Sequence, residues 1–477
     1  MILYFFLSIL FLSDVIIFDR LTQLSFYLAL FLPLILFFLY RNKIKLIKLP
    51  KTGIFYLLFI IFSLFSVFQA IDKVTGLKTT LIYISGFLMF LLIFNIKSEI
   101  KKGLSKFIIL LSTVLLSGYI LNIIFKLNLF DNSGSIFYQY DHIQLGNLLV
   151  LPFIILFPKP FSWLFFVSII FSYSRTAYLA LILGIINNKN KILKYFLIFI
   201  TIVFLLIVSK NYLFTKNKKI IGFRNIYFSY ALSSIKERPL FGVGPGNFYF
   251  AASKRQINYN ENTTTAHNIV FDLLTENGLI AGVFFLFFLI HILIKVKRDV
   301  YLWLFFSLTI IFFFDFSYRF NSFLFLWFTI LGLINEEDRS FTLNLKFLLS
   351  IILLILEVIF LLQISLLKSQ SDPEKNFISA NKKAIYYDEL GKEKEALYYY
   401  KKTLYLRPFK GVNNNIIIEK ILNFNINIYG RYIGRKNTGI FIDNLLINIG
   451  NNKTSPIFIH LKAFCLDTGL RCYNIKN

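Results

Sequence analysis

The residues best suited to chemistry gather between Lys210 and Gly278. Nine bases (Lys210, Lys216, Lys218, Lys219, Arg224, Lys236, Arg238, Lys254 and Arg255) stand there against four acids (Glu237, Glu261, Asp272 and Glu276). A one-signed field raises the local concentration of its counter-charge, so this excess points to an anionic ligand. Gly242, Gly244 and Gly246 follow Pro239. They form a flexible turn that can aim backbone N–H groups at an anion. No Lys-Ser/Thr follows, so it is not a phosphate-binding Walker loop; a plain turn is the alternative. His267 then opens a segment, Ala266 to Glu276, that ends at the helix-stopping pair Asn277-Gly278. An imidazole changes charge near neutral pH. A histidine at the head of an interfacial helix in a basic loop is therefore a candidate general base, with a structural histidine as the alternative.

The elements that must hold these residues are membrane helices. The chain is 57% hydrophobic, 19% aromatic and only 16% charged, with mean hydropathy +0.67. The apolar residues come in long runs, such as Gly53 to Phe68 and Lys346 to Leu367. Runs of about 18–20 residues match a hydrocarbon core of about 30 Å. The pattern predicts an all-α, polytopic membrane protein of about thirteen transmembrane helices with a small α-helical external C-terminal region. The helices are expected at about 2–18, 22–40, 53–70, 80–96, 107–125, 143–157, 161–173, 176–187, 195–209, 279–294, 300–316, 321–335 and 347–367. The first run lacks a basic n-region and an A-x-A-like cleavage site, so it is expected to be retained. Four divisions follow: transmembrane helices over 1–209, an external catalytic loop over 210–278, further transmembrane helices over 279–367, and an external region and tail over 368–477.

Loop charge sets the expected orientation. The segments 41–52, 97–106, 188–194 and 295–298 are rich in Lys and Arg and fall on one side if the helices alternate. That side is the cytoplasm, together with the N-terminus; the odd helix count then places the C-terminal region outside. The net charge of +26, from 51 basic and 25 acidic residues, is accounted for by topology and by contact with anionic lipid, so nucleic acid is not an expected partner. Residues 380–408 fit one tetratricopeptide repeat, with small residues at Ala380, Ala384 and Ala396 and a stop at Pro408. Such a region suggests docking of a protein partner or of the acceptor. Cys465 and Cys472, the two cysteines, lie in the tail; an external location allows a disulfide, and two free thiols are the alternative.

The central stretch resembles the signature of the O-antigen ligase/polymerase superfamily, the Wzy_C domain. The matching residues are Arg224, Pro239-Leu240-Phe241-Gly242, Gly244, Gly246, Phe248, His267-Asn268, Glu276, Gly278 and Gly282. Upstream, Ser172 to Leu181 resembles the family's Ser-Arg-Thr/Gly motif. The resemblance implies a glycosyltransferase of the bacterial inner membrane. It would move a glycan from undecaprenyl diphosphate to an acceptor hydroxyl at the outer face, with no metal, cofactor or nucleotide sugar.

The residues suit that chemistry. A lipid diphosphate leaves readily and needs cationic stabilisation more than a general acid. Arg175 and Arg224 are the candidates, because guanidinium grips phosphate oxygens with two N–H groups; snorkelling to headgroups and a solvated charge are their respective alternatives. His267 is the expected base. Gly244, Gly246 and Asn268 are expected to line the diphosphate or glycan. Glu276, nine residues beyond His267, is expected to orient or stabilise. Asp315 and Arg319 are spaced for an i,i+4 salt bridge. His142 and Gln144 open a helix on the external side and are candidate sugar contacts, and Glu357 is an unusual intramembrane acid. The acceptor is a lipid A-core, another glycan or a protein hydroxyl. The rival readings are a flippase for lipid-linked glycan, which should show internal repeats, and a partner-recruiting scaffold.

Overall fold

A computed structural model of the chain describes residues 2–15, 19–42, 44, 46–125, 142–186, 195–203, 219–255, 263–296, 299–337, 340–344, 361–362, 372–373 and 376–406. Almost all of the predicted helix 347–367, with Glu357, lies outside the described residues, as do segment 188–194, Pro408, Cys465 and Cys472. Helix dominates, because backbone N–H and C=O groups in hydrocarbon must find partners within their own segment. The helices are α1 (Ile2–Val15), α2 (Asp19–Leu39), α3 (Thr52–Val67), α4 (Lys73–Asn95), α5 (Lys97–Phe125), α6 (His142–Leu156), α7 (Ser162–Phe171) and α8 (Arg175–Ile186). They continue with α9 (Lys219–Glu237), α10 (Phe248–Arg255), α11 (Ile269–Lys295), α12 (Val300–Phe314), α13 (Asn321–Ile334), α14 (Phe377–Glu389) and α15 (Glu393–Leu406). A 3-10 turn, Ser317–Arg319, joins α12 to α13.

Among the described residues three helices are long and apolar enough to cross a membrane: Lys73–Asn95, Lys97–Leu121 and Ile269–Lys295. Eight shorter apolar helices accompany them. The chain is an all-α membrane protein in outline, with two amendments to the expected loops. Residues 41–52 contain strand β1 (Leu46–Pro50), which pairs antiparallel with β2 (Ser340–Asn344), Leu46 opposite Asn344 and Pro50 opposite Ser340. Residues 97–106, expected as loop, form the first turns of α5.

Two compact units divide the chain. The first comprises Met1–Ala70, Thr75–Gly246 and Thr265–Ile355, and the second Ile71–Val74, Asn247–Thr264 and Leu356–Asn477. The expected external loop 210–278 is thus shared between them.

The core of the first unit is aromatic. Tyr56 of α3 stacks on Phe87 of α4 at 5.1 Å and meets Phe288 of α11 edge-on at 4.8 Å. Edge-on and offset rings add attraction beyond simple burial. Asp14, an apparent cost inside α1, is satisfied: it accepts from Ser25 Oγ and from the Ser322 N–H at 2.7 Å. One end of this unit carries a polar belt. Lys48 N–H donates to Asn95 Oδ1 at 2.8 Å, Lys101 pairs with Asp299 at 2.7 Å, and buried Glu337 takes Lys295 at 3.3 Å and the Thr52 N–H at 2.9 Å.

In the second unit, α14 and α15 form a hairpin. Ala380, Ala384 and Ala396 are buried, which lets the two helices approach, and Gly391 turns the chain at φ 68°. Tyr400 donates to Asp388 at 2.9 Å, and Asn376 caps α14.

Candidate active site

The head of α11 sets the site. Asn268 is its N-cap: Oδ1 accepts from the Val270 and Phe271 N–H groups at 2.9 and 3.0 Å, and Nδ2 donates to the Phe313 carbonyl at 2.8 Å. Its amide is thus occupied at both ends by protein, so the expected substrate contact is replaced by a capping role. The preceding residue, His267, has φ 54°. A non-glycine residue in the left-handed region costs about 1–3 kcal/mol and persists only where its surroundings enforce it. Here the Ala266 N–H donates to Asp272 Oδ1 at 2.6 Å and the His267 N–H to Thr265 Oγ1 at 3.1 Å. Tyr227 stacks on the imidazole at 5.6 Å, and Phe316 meets it edge-on at 5.2 Å.

Helix α9 lies along this turn. Phe228 packs on Phe271 at 4.9 Å, and Arg224 sits one turn before Tyr227, on the same face. Burial first, and then the charge of Arg224, push the His267 pKa down from 6.5 to about 4. The ring is therefore neutral at pH 7. Its Nδ1 is buried with no hydrogen-bond partner. Native proteins rarely leave such an atom unmet, and strain, a catalytic role or an ordered water accounts for the exceptions.

Below His267 lies a buried ion cluster. Arg319 Nη2 reaches Asp272 Oδ2 and Glu276 Oε1, both at 2.6 Å, and Tyr318 donates to Asp272 Oδ2. The carboxylates are 2% and 1% exposed, so they depend on this pairing. Arg319 thus pairs with Asp272 and Glu276 and not with Asp315, as local spacing suggested. A cavity of about 210 Å³ opens beside the cluster, with Tyr83, Asp272, Glu276, Tyr318, Arg319 and Trp327 among its walls.

The glycine turn packs against the middle of α11, which breaks where expected, at Gly278 (φ 79°, ψ 174°). The Val243 N–H donates to the Thr275 carbonyl and the Gly244 N–H to the Glu276 carbonyl, both at 2.9 Å. The Gly246 N–H faces the Glu276 carboxylate. A Cβ on Gly244 (φ 101°) would strike Ala70. Gly244 and Gly246 were expected to present their amides to an anion. They spend them on α11 instead, so the turn is a brace between α3, α9 and α11. Glu276 is the post of that brace.

Arg175 begins α8. Its neighbours Ser174 and Thr176 donate to Asn147 Oδ1 at 3.0 and 2.8 Å, and Asn147 Nδ2 donates to Asp315 at 3.1 Å and Ser317 at 3.2 Å. The Ser-Arg-Thr segment is thereby tied to the 315–319 loop, which also carries Phe316 against His267 and Arg319 against Asp272. The structure brings Arg224 and His267 together, and it ties the residues on either side of Arg175, through Asn147, to the 315–319 loop. Gln144 is buried, at 1% exposure. Sequence reasoning passed over Asn147 and Asp272. Among the described residues no three His, Cys, Asp or Glu side chains converge as metal ligands would.

Residues 160–286 match the family model of the O-antigen ligases. The matched O-antigen ligase segment runs from just before α7 into the second half of α11 and holds Arg175, Arg224, His267, Asp272 and Glu276. Asn147, Asp315 and Arg319, which brace it, lie outside. The match points to O-antigen ligase-like glycan transfer, and so to a glycosyltransferase-like enzyme with a lipid-linked glycan and an acceptor as its general partners. No curated protein matches the chain.

Proposed function

We propose that the chain transfers a glycan from undecaprenyl diphosphate to an acceptor hydroxyl at the outer face of the bacterial inner membrane. The observation that carries this reading is His267: a neutral imidazole in a strained backbone conformation, beside Arg224, with a buried ring nitrogen left unmet. In the reaction the acceptor oxygen bonds to the anomeric carbon, and the bond from that carbon to the diphosphate oxygen breaks. The electron pair leaves with the diphosphate, whose charge Arg224 and Arg175 balance. The acceptor proton passes to His267 Nδ1. When the diphosphate sits on Arg224 it offsets the like charge felt by the imidazole. The base therefore strengthens as the donor binds, by the part of the shift that Arg224 causes.

The chain follows the thirteen-span arrangement with its N-terminus cytoplasmic and the α14–α15 hairpin external, where a tetratricopeptide-like surface docks a protein partner or the acceptor. No metal is required. The experiment is a transfer assay. Purified protein in lipid is given undecaprenyl-diphosphate glycan with, separately, lipid A-core, free glycan and a Ser/Thr peptide. One acceptor should gain the glycan, with release of undecaprenyl diphosphate and without added metal. Glycan movement across the vesicle with no product in any arm would establish the flippase reading instead.

A further inference from the structure

We propose that Asp272 is a positioning residue for His267, acting through the Ala266 amide. The inference rests on the reading of His267 as the base. Asp272 is 2% exposed at its side chain and stands on the first turn of α11. One carboxylate oxygen accepts the Ala266 N–H at 2.6 Å, and the other accepts from Arg319 at 2.6 Å and from the Tyr318 hydroxyl. The carboxylate is thus fixed by two side chains of the 3-10 turn Ser317–Arg319, and it fixes the peptide unit immediately before His267.

That contact has a distinct use. The start of α11 is already capped by Asn268, and Arg319 keeps Glu276 as a second partner. The amide of Ala266 depends on Asp272 in the way neither of those does. His267 follows at φ 54°, in a region that an L-residue leaves when nothing holds it. Release of Ala266 lets the backbone relax toward negative φ and swings the imidazole away from Tyr227 and Phe316. A shift of about 1 Å at a reacting group costs on the order of 10²-fold in rate. The bland alternative is an acid favoured near a helix N-terminus for its charge alone. The two differ in what an uncharged oxygen can restore.

The test compares Asp272→Leu, Asp272→Asn and Tyr318→Phe in the full-length protein in lipid. Transfer kinetics are measured beside the rate at which diethyl pyrocarbonate modifies His267, read on the His267 peptide by mass spectrometry. Asp272→Leu is expected to lower kcat by about 10²-fold with the donor KM unchanged, and to change the modification rate of His267. Asp272→Asn keeps an oxygen for Ala266 and should recover most of kcat. Wild-type kcat in Asp272→Leu, or an Asp272→Asn variant as impaired as Asp272→Leu, overturns the proposal. Should Asp272→Leu fail to insert, Tyr318→Phe decides: kcat falls at constant KM if the proposal holds, and stays at the wild-type value if it does not. A wild-type protein that transfers no glycan would remove the functional reading, whereas an unchanged His267 modification rate in Asp272→Leu would remove this inference alone.

Discussion

Burial and the nearby Arg224 charge hold the His267 pKa at about 4, and this governs two pH responses. The ring stays unprotonated as the pH falls through 6.5, so the acid limb of kcat/KM should lie well below 6.5, toward 4. Replacing Arg224 by Gln removes the second cause of the shift. The midpoint of His267 modification by diethyl pyrocarbonate should then move upward, and an unmoved midpoint would show that Arg224 does not act on the ring. For stability, the folded pKa lies below the unfolded value, so between 6.5 and about 4 the unfolded chain binds a proton that the native chain refuses. Stability contributed by the neutral ring is present above 6.5 and is lost as the pH falls through that window; thermal melts across it should show the decline. Arg319→Ala would leave two buried carboxylates without their cation. Loss of one partner from a buried pair costs about 3–5 kcal/mol, so a marked fall in melting temperature is expected, and an unchanged melt would contradict the pairing.

Helices read well from sequence because each apolar run is local, and the break at Gly278 was visible in the pair Asn277-Gly278. The strand pairing of 46–50 with 340–344 was not visible, since its partners are far apart and each strand is only five residues long. The same distance hid the Arg319 pairing with Asp272 and Glu276: local spacing favours Asp315, while the fold brings α11 to the α12–α13 turn. The glycine turn is legible in the sequence, but the direction of its amides is not, because sequence alone does not reveal that α11 presents the Thr275 and Glu276 carbonyls to it. Gly278 tests this brace at the scale of the element. A Cβ there would strike the Leu240 carbonyl, at a φ of 79° that disfavours any side chain. Gly278→Ala should lower the melting temperature and transfer together. Gly118→Ala on α5, where a Cβ meets nothing within 4 Å, should instead be neutral or stabilising by up to about 1 kcal/mol. Equal effects at both positions would argue against the brace.

At the scale of the molecule, the first unit separates two kinds of polarity. One end gathers Lys48, Lys101, Lys295 and Glu337 with the small sheet. Elsewhere, the heads of α8 and α11 and the α12–α13 turn gather the residues of the proposed chemistry. The segment that matches the O-antigen ligases carries Arg175, Arg224 and His267, while the α12–α13 turn outside that segment packs Phe316 on His267 and pairs Arg319 with Asp272 and Glu276. The most direct test of the account is transfer by His267→Ala, measured with donor binding on the same preparation. The account predicts unchanged donor affinity, because the diphosphate is gripped by the arginines, and a fall in kcat of about 10²–10⁴-fold through loss of the base. Transfer by His267→Ala at the wild-type rate would contradict it.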